Sequence, residues 1–253
     1  MHIVVTGASS GIGAAYARAF AAAGHELTLV ARRGELLEQL AAALPTKSHV
    51  VVHDLADLPN AASFFDAAEA ALGPIDVLVN NAGVQVVGPI TSLDVAECER
   101  MIDVDLLAPL RLTHAILPRM LARKRGVIVD VASMAAIAPT PGMTWYNAAK
   151  GGLAAASEAL RGELRGIGVH VVTVYPGIIA STAMAQASMQ KYGGGAWMDR
   201  LGGDVDVLAR HTLRAIVRRS ARVIYPRSGW LARWFPSTTR WVMDRATPRL
   251  KNV

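Results

Sequence analysis

The sequence predicts an α/β protein in which a doubly wound, seven-stranded parallel sheet carries helices on both faces. Short runs of β-branched residues alternate with helical patterns along the chain, and such regular alternation requires right-handed βαβ crossovers. Most strand runs are continuously apolar, as in strands buried on both faces of a parallel sheet. The 253 residues contain no internal repeat and no linker long enough to separate two domains.

The predicted elements follow one another without long gaps. The strands are Ile3–Thr6, Glu26–Val30, His49–His53, Asp76–Val79, Val127–Val131, Val169–Val174 and Arg222–Tyr225. The helical segments are 12–23, which is rich in alanine, then 35–43, 60–71, 101–124, 147–165 and about 205–219. We therefore expect one domain over residues 1–225, followed by a basic, Trp-rich C-terminal extension over residues 226–253.

Composition indicates a globular protein. Apolar residues make up 52% of the chain and charged residues 18%, which favours a buried core over disorder. Cys98 is the only cysteine, so no disulfide within the chain and no cysteine zinc site is predicted, as in a reducing compartment. We predict no metal site. The early first strand leaves no room for a signal peptide and no apolar run reaches about 18 residues, so we expect a cytoplasmic protein.

The net charge of +6 is unevenly distributed. Residues 207–253 contain ten Arg and one Lys against the single Asp244, a net charge of +10, so residues 1–206 carry −4. Such a basic segment indicates contact with nucleic acid, phospholipid or an acidic protein surface. Charge alone does not choose among these partners.

A glycine-rich turn follows directly after the first predicted strand. It reads Thr-Gly-Ala-Ser-Ser-Gly-Ile-Gly over residues 6–13 and leads into the first helix. Gly7, Gly11 and Gly13 allow a close backbone approach to a pyrophosphate, and the helix N-terminus offers free N–H groups. The other predicted contacts within this turn are Ser9, Ser10 and Ile12. The alternative is a turn that only packs strand against helix.

Two arginines end the second strand, where dinucleotide-binding proteins tend to place an acidic residue for the ribose 2′-hydroxyl. These are Arg32 and Arg33. A guanidinium pairs strongly with a 2′-phosphate and stacks on adenine, so the pair favours NADPH over NADH. The alternative is that both arginines are simply solvated.

Polar and small residues also follow the third and fourth strands. Asp54, followed by Leu55, is placed to accept from the adenine amino group, or alternatively to cap a turn. The segment Asn80-Asn-Ala-Gly83 comes after the fourth strand. Its residues Asn81, Ala82 and Gly83 let the backbone pass close to a cofactor, while the Asn amides tie strand ends together.

The strongest signal combines Ser133, after the fifth strand, with Tyr146 and Lys150 at the start of the next long helix. Residues four apart share a helix face, so Tyr146 and Lys150 act on one site. A phenol with a pKa of about 10 is a poor base, but a nearby ammonium and a positive nicotinamide ring lower that pKa. Tyr146 then exchanges a proton with a carbonyl or alcohol oxygen, and Ser133 holds that oxygen.

With these residues the chain resembles the short-chain dehydrogenase/reductase family over roughly residues 2–225. The matching segments are Thr6–Gly13, Asn80–Gly83, Ser133, Tyr146, Lys150 and Pro176-Gly177. The resemblance implies a Rossmann-type fold, an NADP(H) cofactor, and Ser133, Tyr146 and Lys150 as the catalytic set. It also implies that Pro176, Gly177, Ile179 and Thr182 pass the nicotinamide, and that the protein is a homodimer or homotetramer.

One position departs from the family pattern. The family usually has Asn where this chain has Asp105 in Met-Ile-Asp-Val-Asp-Leu. In the resembling family this Asn holds a water leading to the catalytic lysine. A carboxylate accepts from that water but donates no N–H, so we expect an altered proton relay and a raised pKa for Lys150.

The expected substrate is an apolar carbonyl or alcohol. In this family the pocket is covered by the segment after Pro176-Gly177, here about residues 182–203. That segment is apolar and Met-rich, with a glycine hinge at 193–195, and Met adapts to irregular apolar shapes. Alternatively, these residues only complete the core.

The C-terminal extension has an amphipathic pattern of its own. Trp230, Trp234 and Trp241 share one helical face with Arg233 and Arg240 on the flanks, and Pro236 should break the helix. This pattern is typical of an interfacial helix on anionic lipid, and a subunit contact or a pocket cover are equally good alternatives. Nucleic acid is not favoured, because no binding motif accompanies the charge.

The leading hypothesis is an NADPH-linked carbonyl reductase or alcohol dehydrogenase. One alternative is a nucleotide-binding protein that senses redox state, with Asp105 marking weak or lost catalysis. The other, a peripheral membrane or scaffold protein, rests only on the extension.

Overall fold

A computed structural model of the chain describes residues 1–192, 202–227 and 229–246. Its centre is a seven-stranded sheet, ordered β3-β2-β1-β4-β5-β6-β7, in which each neighbouring pair is parallel. The strands are β1 (His2–Thr6), β2 (Glu26–Ala31), β3 (Ser48–Val52), β4 (Ile75–Asn80), β5 (Gly126–Val131), β6 (Val169–Pro176) and β7 (Arg222–Tyr225).

Helices connect the strands. They are α1 (Gly11–Ala22), α2 (Gly34–Ala42), α3 (Phe65–Leu72), α4 (Val95–Ile102), α5 (Ala108–Ala122), α6 (Thr144–Glu163), α7 (Ala183–Tyr192), α8 (Val205–Arg218), α9 (Gly229–Trp234) and α10 (Pro236–Ala246). A π-helical turn, Asp103–Leu107, joins α4 to α5. The predicted doubly wound, seven-stranded architecture is confirmed.

Two hydrophobic layers enclose the sheet. One contains Tyr16 and Phe20 of α1, Leu37 of α2 and Leu208 and Ile216 of α8, packed on apolar strand residues. The other contains Phe65 of α3, Leu112 and Ile116 of α5 and Leu164, which follows α6. Each central strand is covered on both faces, so its side chains are buried whichever face of the sheet they point to. The continuous apolar runs predict this arrangement.

The strand order reverses between β1 and β4, which lie side by side with Val5 opposite Val79. In an open parallel sheet this reversal leaves a crevice at the carboxyl ends of the two strands. Thr6 ends β1 and Asn80 ends β4. The crevice therefore opens between the glycine-rich turn and the segment that follows Asn80.

Two helix predictions differ from the structure. The helix expected from residue 101 begins at Val95, where the Asp94 side chain accepts from the Glu97 N–H. The π-helical turn then interrupts it. The segment expected to be helical from residue 60 contains a short 3-10 turn, Leu58–Asn60, before α3 begins at Phe65.

The C-terminal extension forms α9 and α10, separated where Pro236 begins the second helix. The predicted helix break at this proline is correct. Among the described residues, no helix combines the length and apolar character that a membrane crossing needs.

Candidate active site

The glycine-rich turn and the segment after β4 interlock. Gly7 has a φ of +67°, and a Cβ on it would lie 2.7 Å from the Ala82 Cα. The Thr6 hydroxyl accepts from the N–H groups of Asn81 and Ala82, each at 3.0 Å. The Asn81 amide donates to the Thr6 carbonyl at 2.8 Å. Glycine is thus needed at position 7 both for its backbone conformation and for the approach of the second loop.

Next to this contact lies an open cleft. It is lined by the predicted residues Gly7, Ser9, Ser10, Gly11, Ile12, Gly13, Arg32, Arg33, Asp54, Leu55, Asn81, Ala82, Gly83 and Thr182. Ala183 and Met184, from the predicted cover over residues 182–203, also line it. Five further lining residues were not predicted: Ala31, His53, Val84, Arg100 and Val104. Most residues predicted to hold a cofactor therefore surround one space.

One end of the cleft is built to hold an anion. The Arg33 guanidinium donates to the Ser9 hydroxyl at 2.9 Å and to the Ser10 hydroxyl at 2.6 Å. Ser10 is the N-cap residue of α1, yet its side chain makes no capping hydrogen bond, so the first N–H groups of the helix remain available to phosphate. This donor set fits a dinucleotide that carries an additional 2′-phosphate.

At the adenine-side position, the Asp54 carboxylate already has protein partners. It accepts from the Arg100 guanidinium at 2.6 Å and from the Ala56 N–H at 3.1 Å. Partial burial raises the pKa of Asp54, but these hydrogen bonds outweigh burial and leave the pKa below its usual value. Asp54 thus caps a turn, as in the alternative interpretation, while lining the cleft.

Ser133, Tyr146 and Lys150 lie behind the wall of this cleft. Ser133 follows β5, and its hydroxyl accepts from the Ala135 N–H at 3.1 Å. Tyr146 and Lys150 are one turn apart in α6 and are 7% and 4% exposed. The Lys150 ammonium donates to the Val131 carbonyl at 3.1 Å and lies 6.0 Å from the centre of the Tyr146 ring. The strand end therefore fixes the lysine beside the tyrosine.

The electrostatics around Tyr146 differ from the expectation. Burial raises the pKa of Tyr146, Lys150 lowers it, Asp105 raises it, and the Ser133 hydrogen bond lowers it. The net direction is upward. Lys150 acts in the predicted sense, but its effect is smaller than that of burial, which favours the neutral phenol. Without a positive nicotinamide ring, the site holds Tyr146 as a proton donor.

Asp105 lies in the π-helical turn and is fully buried. Its Oδ1 accepts from the Val84 N–H at 2.7 Å, and its Oδ2 lies 3.1 Å from the Lys150 Nζ. Asp105 and Lys150 therefore form a direct ion pair. Burial lowers the pKa of Lys150, but Asp105 and the other anionic neighbours outweigh burial and raise it, as predicted.

Gly83 connects the ion pair to the cleft. A Cβ on this residue would lie 3.0 Å from the Asp105 Oδ2 and 3.3 Å from the Lys150 Nζ. Glycine at this position therefore leaves room for the ion pair on one side, while the residue lines the cleft on the other.

The short chain dehydrogenase family model matches residues 1–193. This chain belongs to the short-chain dehydrogenase/reductase family. A short chain dehydrogenase from Pseudocercospora fijiensis is 36% identical over 183 residues, which are 70% of this chain and 59% of that protein. A ketoacyl reductase from Nostoc is 34% identical over 185 residues, 72% of this chain and 64% of that protein. The match thus spans less than two thirds of both relatives.

Solved structures of the family share the whole architecture. A short-chain dehydrogenase from Sphingobium yanoikuyae, in complex with NADPH, superposes with a TM-score of 0.81 and 29% identity. The match covers 100% of this chain and 98% of that one. The Rossmann-type fold of a short-chain dehydrogenase/reductase is therefore shown for this chain.

Of the remaining residues that the family resemblance implied, Thr182 lines the cleft and Pro176, Gly177 and Ile179 do not. Pro176 pairs with Tyr225, and the Gly177 N–H donates to the Tyr225 carbonyl at 2.7 Å. Ile179 is 3% exposed and packs in the core, and it is not among the residues that line the cleft. Thr182 donates to the Ile179 carbonyl and lines the cleft opposite Gly11.

The predicted cover over residues 182–203 is described only in part. Helix α7 begins it, and Met184 lines the cleft. The expected glycine hinge at 193–195 lies outside the described residues.

Proposed function

We propose that this protein is an NADP(H)-dependent oxidoreductase that interconverts a carbonyl and a secondary alcohol of an apolar substrate. The observation that carries the proposal is the buried Tyr146, held beside Lys150 and hydrogen-bonded to Ser133, next to the open cleft that the glycine-rich turn lines. Membership of an oxidoreductase family supports the reaction class.

The residues divide the work. When bound, NADP(H) supplies or accepts the hydride. Tyr146 donates a proton to the substrate oxygen in reduction and accepts it in oxidation, and Ser133 holds that oxygen by a hydrogen bond. Lys150, kept charged by Asp105, stabilises negative charge on Tyr146 during the transfer.

Cofactor preference follows from the cationic end of the cleft. Arg32 and Arg33 both line it, and Arg33 already lies on the two serine hydroxyls. The NADPH complex of the Sphingobium yanoikuyae relative supports the same preference.

An apolar substrate is supported by the surroundings of Tyr146. Its ring packs in a cluster with Met101 and Ala135, against which the partly buried side chains of Val84, Val86, Met143 and Trp145 are placed. Apolar walls favour an apolar substrate group next to the reacting oxygen.

A panel of carbonyls and alcohols, assayed with NADPH, NADH and their oxidised forms, tests the reaction class. Tyr146→Phe should lower kcat at least about a thousandfold while the NADPH Kd changes less than about twofold, because the proton is lost and the ring is retained. The readouts are absorbance of the reduced nicotinamide and fluorescence titration. Turnover by Tyr146→Phe at the parent rate would refute the catalytic assignment.

A second candidate function is a nucleotide-binding redox sensor with weak catalysis. The observation that favours it is the direct contact of Asp105 with Lys150, where the family usually has Asn. NADPH binding with no turnover across the panel, restored by Asp105→Asn, would support the sensor.

We also propose a cytoplasmic homodimer or homotetramer. Leu107 and Leu110 are 37% and 38% exposed beside the start of α5, a position that a second subunit would cover. Light scattering after size-exclusion chromatography gives the mass directly.

A further inference from the structure

The C-terminal helices expose a large apolar surface. Leu231 is 66% exposed, Trp234 71%, Phe235 60%, Trp241 57% and Val242 44%. We call these five side chains the tail surface; they come from α9, from α10 and, in the case of Phe235, from the residue between the two helices. Exposed aromatic and aliphatic groups clustered in this way mark an interaction site.

The tail surface is held on the domain. The Arg233 guanidinium of α9 lies 3.2 Å from the Glu158 carboxylate of α6 and 5.9 Å from the centre of the Tyr175 ring. Gly229, at the start of α9, packs so closely that a Cβ would lie 2.8 Å from Ile224 and 2.9 Å from the Met134 sulfur. Helix α9 is thus fixed on one face, and its apolar residues point away from the core.

The charge of the extension is predominantly positive. Arg227, Arg240 and Arg245 are exposed in it, and Asp244 is the only acidic residue in the part of the extension that the structure describes. The Arg245 guanidinium lies 4.3 Å from the centre of the Trp241 ring, so a cation and an exposed aromatic group are adjacent on this surface. A partner must therefore accept apolar side chains and supply negative charge together.

We propose that the tail surface binds an anionic lipid membrane, with its aromatic and aliphatic side chains in the interfacial region and the arginines at the headgroups. Tryptophan and arginine suit this boundary because each has an apolar body and a polar or charged end. A second copy of this chain fits less well, since a two-fold contact would bring these arginines against their own copies. The protein then lies on the membrane.

The test is sedimentation of the full-length protein with vesicles. Phosphatidylcholine vesicles with roughly one-third phosphatidylserine should bind it at low ionic strength, and pure phosphatidylcholine should not. Raising the salt to about 0.5 M should release it, because the Debye length falls to a few ångström. Binding of equal strength to both vesicle types, or no binding to anionic vesicles, overturns the proposal.

Variants locate the binding surface. The combined change Trp234→Ala, Phe235→Ala and Trp241→Ala should weaken vesicle binding by about a hundredfold, and Arg240→Gln by about fivefold. Matched controls are Val95→Ala, 59% exposed on another helix, and Arg165→Gln, an exposed arginine outside the extension. Both controls should bind as the parent does.

Two further measurements keep the outcome specific. Circular dichroism verifies that the triple variant is folded, and light scattering gives its mass. Unchanged vesicle binding by the folded triple variant refutes the assignment. A fall in oligomer mass together with unchanged vesicle binding shows that the tail surface is a subunit contact.

Discussion

At the residue scale, Arg33 and Lys150 are cations in contrasting surroundings. Arg33 is exposed and lies on two serine hydroxyls, so it is available to a phosphate. Lys150 is buried and paired with Asp105, and the group nearest to it that we propose as catalytic, Tyr146, is also buried. In the function we propose, positive charge serves phosphate recognition at the surface and proton transfer in the interior.

Cofactor preference can be assigned to individual arginines. Replacing both Arg32 and Arg33 with Ala should raise the NADPH Kd at least about tenfold and leave the NADH Kd nearly unchanged, because each lost charge-assisted hydrogen bond costs about 1.5–3 kcal/mol. Arg33→Ala alone should give most of the effect. Arg18→Ala, an exposed arginine of α1 outside the cleft, is the control. A parent protein that binds NADH more tightly than NADPH contradicts this prediction.

Asp105 should control the pH dependence of the reaction. Alcohol oxidation needs the Tyr146 phenolate, so its rate rises with pH through the tyrosine pKa. Asp105 raises that pKa, so Asp105→Asn should move the rising limb of the kcat/KM profile for oxidation to lower pH. The NADPH Kd serves as the control and should not change. A profile that stays in place, or moves to higher pH, would exclude this role.

The chemistry of the site could be read from the sequence, but several contacts could not. The glycine-rich turn is a continuous segment, so its geometry follows from a local rule. Tyr146 and Lys150 are four residues apart in one helix, so they share a helix face. Arg100 meets Asp54 across 46 residues of sequence. Nothing local indicates such a pair, and we did not predict Arg100 as a site residue.

At the element scale, the strands were predictable because apolar runs between helices specify them. The start of α4 was not. Its first turn is mostly exposed to solvent and is capped by the Asp94 side chain. The π-helical turn that follows α4 contains Asp105, whose contacts with Val84 and Lys150 are tertiary. A π-helical interruption frequently accompanies a functional residue. Its position depends on tertiary contacts, which the hydrophobic periodicity of the sequence does not reveal.

Glu158 links α6, β6, β7 and α9. It accepts from the Tyr175 hydroxyl at 2.7 Å, from Arg222 at 2.7 and 2.8 Å and from Arg233 at 3.2 Å. The hydrogen bonds from Arg222 are the largest cause that lowers the pKa of Glu158, from 4.5 to about 2. The ionised carboxylate therefore stabilises the folded state.

Glu158→Gln should lower the free energy of unfolding by about 1–3 kcal/mol at neutral pH. A carboxyl group whose pKa is lowered by folding stabilises the folded state at pH values above its unfolded pKa. This contribution is lost as the pH falls through the folded pKa and the carboxylate is protonated. The difference between parent and variant should therefore shrink as the pH falls from 4.5 toward about 2. Urea unfolding at several pH values measures it. Glu163→Gln, an exposed glutamate of the same helix, should show no such difference, and a pH-independent gap for Glu158→Gln would contradict the assignment.

At the scale of the whole molecule, the extension continues the packing of the domain. The sequence predicts a domain boundary at residue 225. If the extension is only a lipid anchor, a chain ending near Arg227 is expected to stay soluble and active; if it is a subunit contact or a pocket cover, truncation is expected to lower the oligomeric state, the stability or the substrate affinity. The structure shows Gly229 against Met134, the residue after Ser133, and Arg233 on Glu158. Since these contacts join the extension to the strand end that carries Ser133, its removal should affect the substrate side of the site.

Truncation after Arg227 tests this connection. The shortened protein should unfold at a lower temperature and show a reduced kcat, because Met134 and Glu158 lose partners. Its NADPH Kd should match the parent value, since among the described residues none beyond Met184 lines the cleft. Arg233→Gln should reproduce part of the lower melting temperature. Truncation after Ala246, a shorter deletion that keeps α9 and α10, is the control. Thermal unfolding, steady-state kinetics and fluorescence titration separate the three effects. A truncated protein with parent stability and kcat would show that the extension is independent of the domain, whereas lost NADPH binding would show that the cleft itself depends on it.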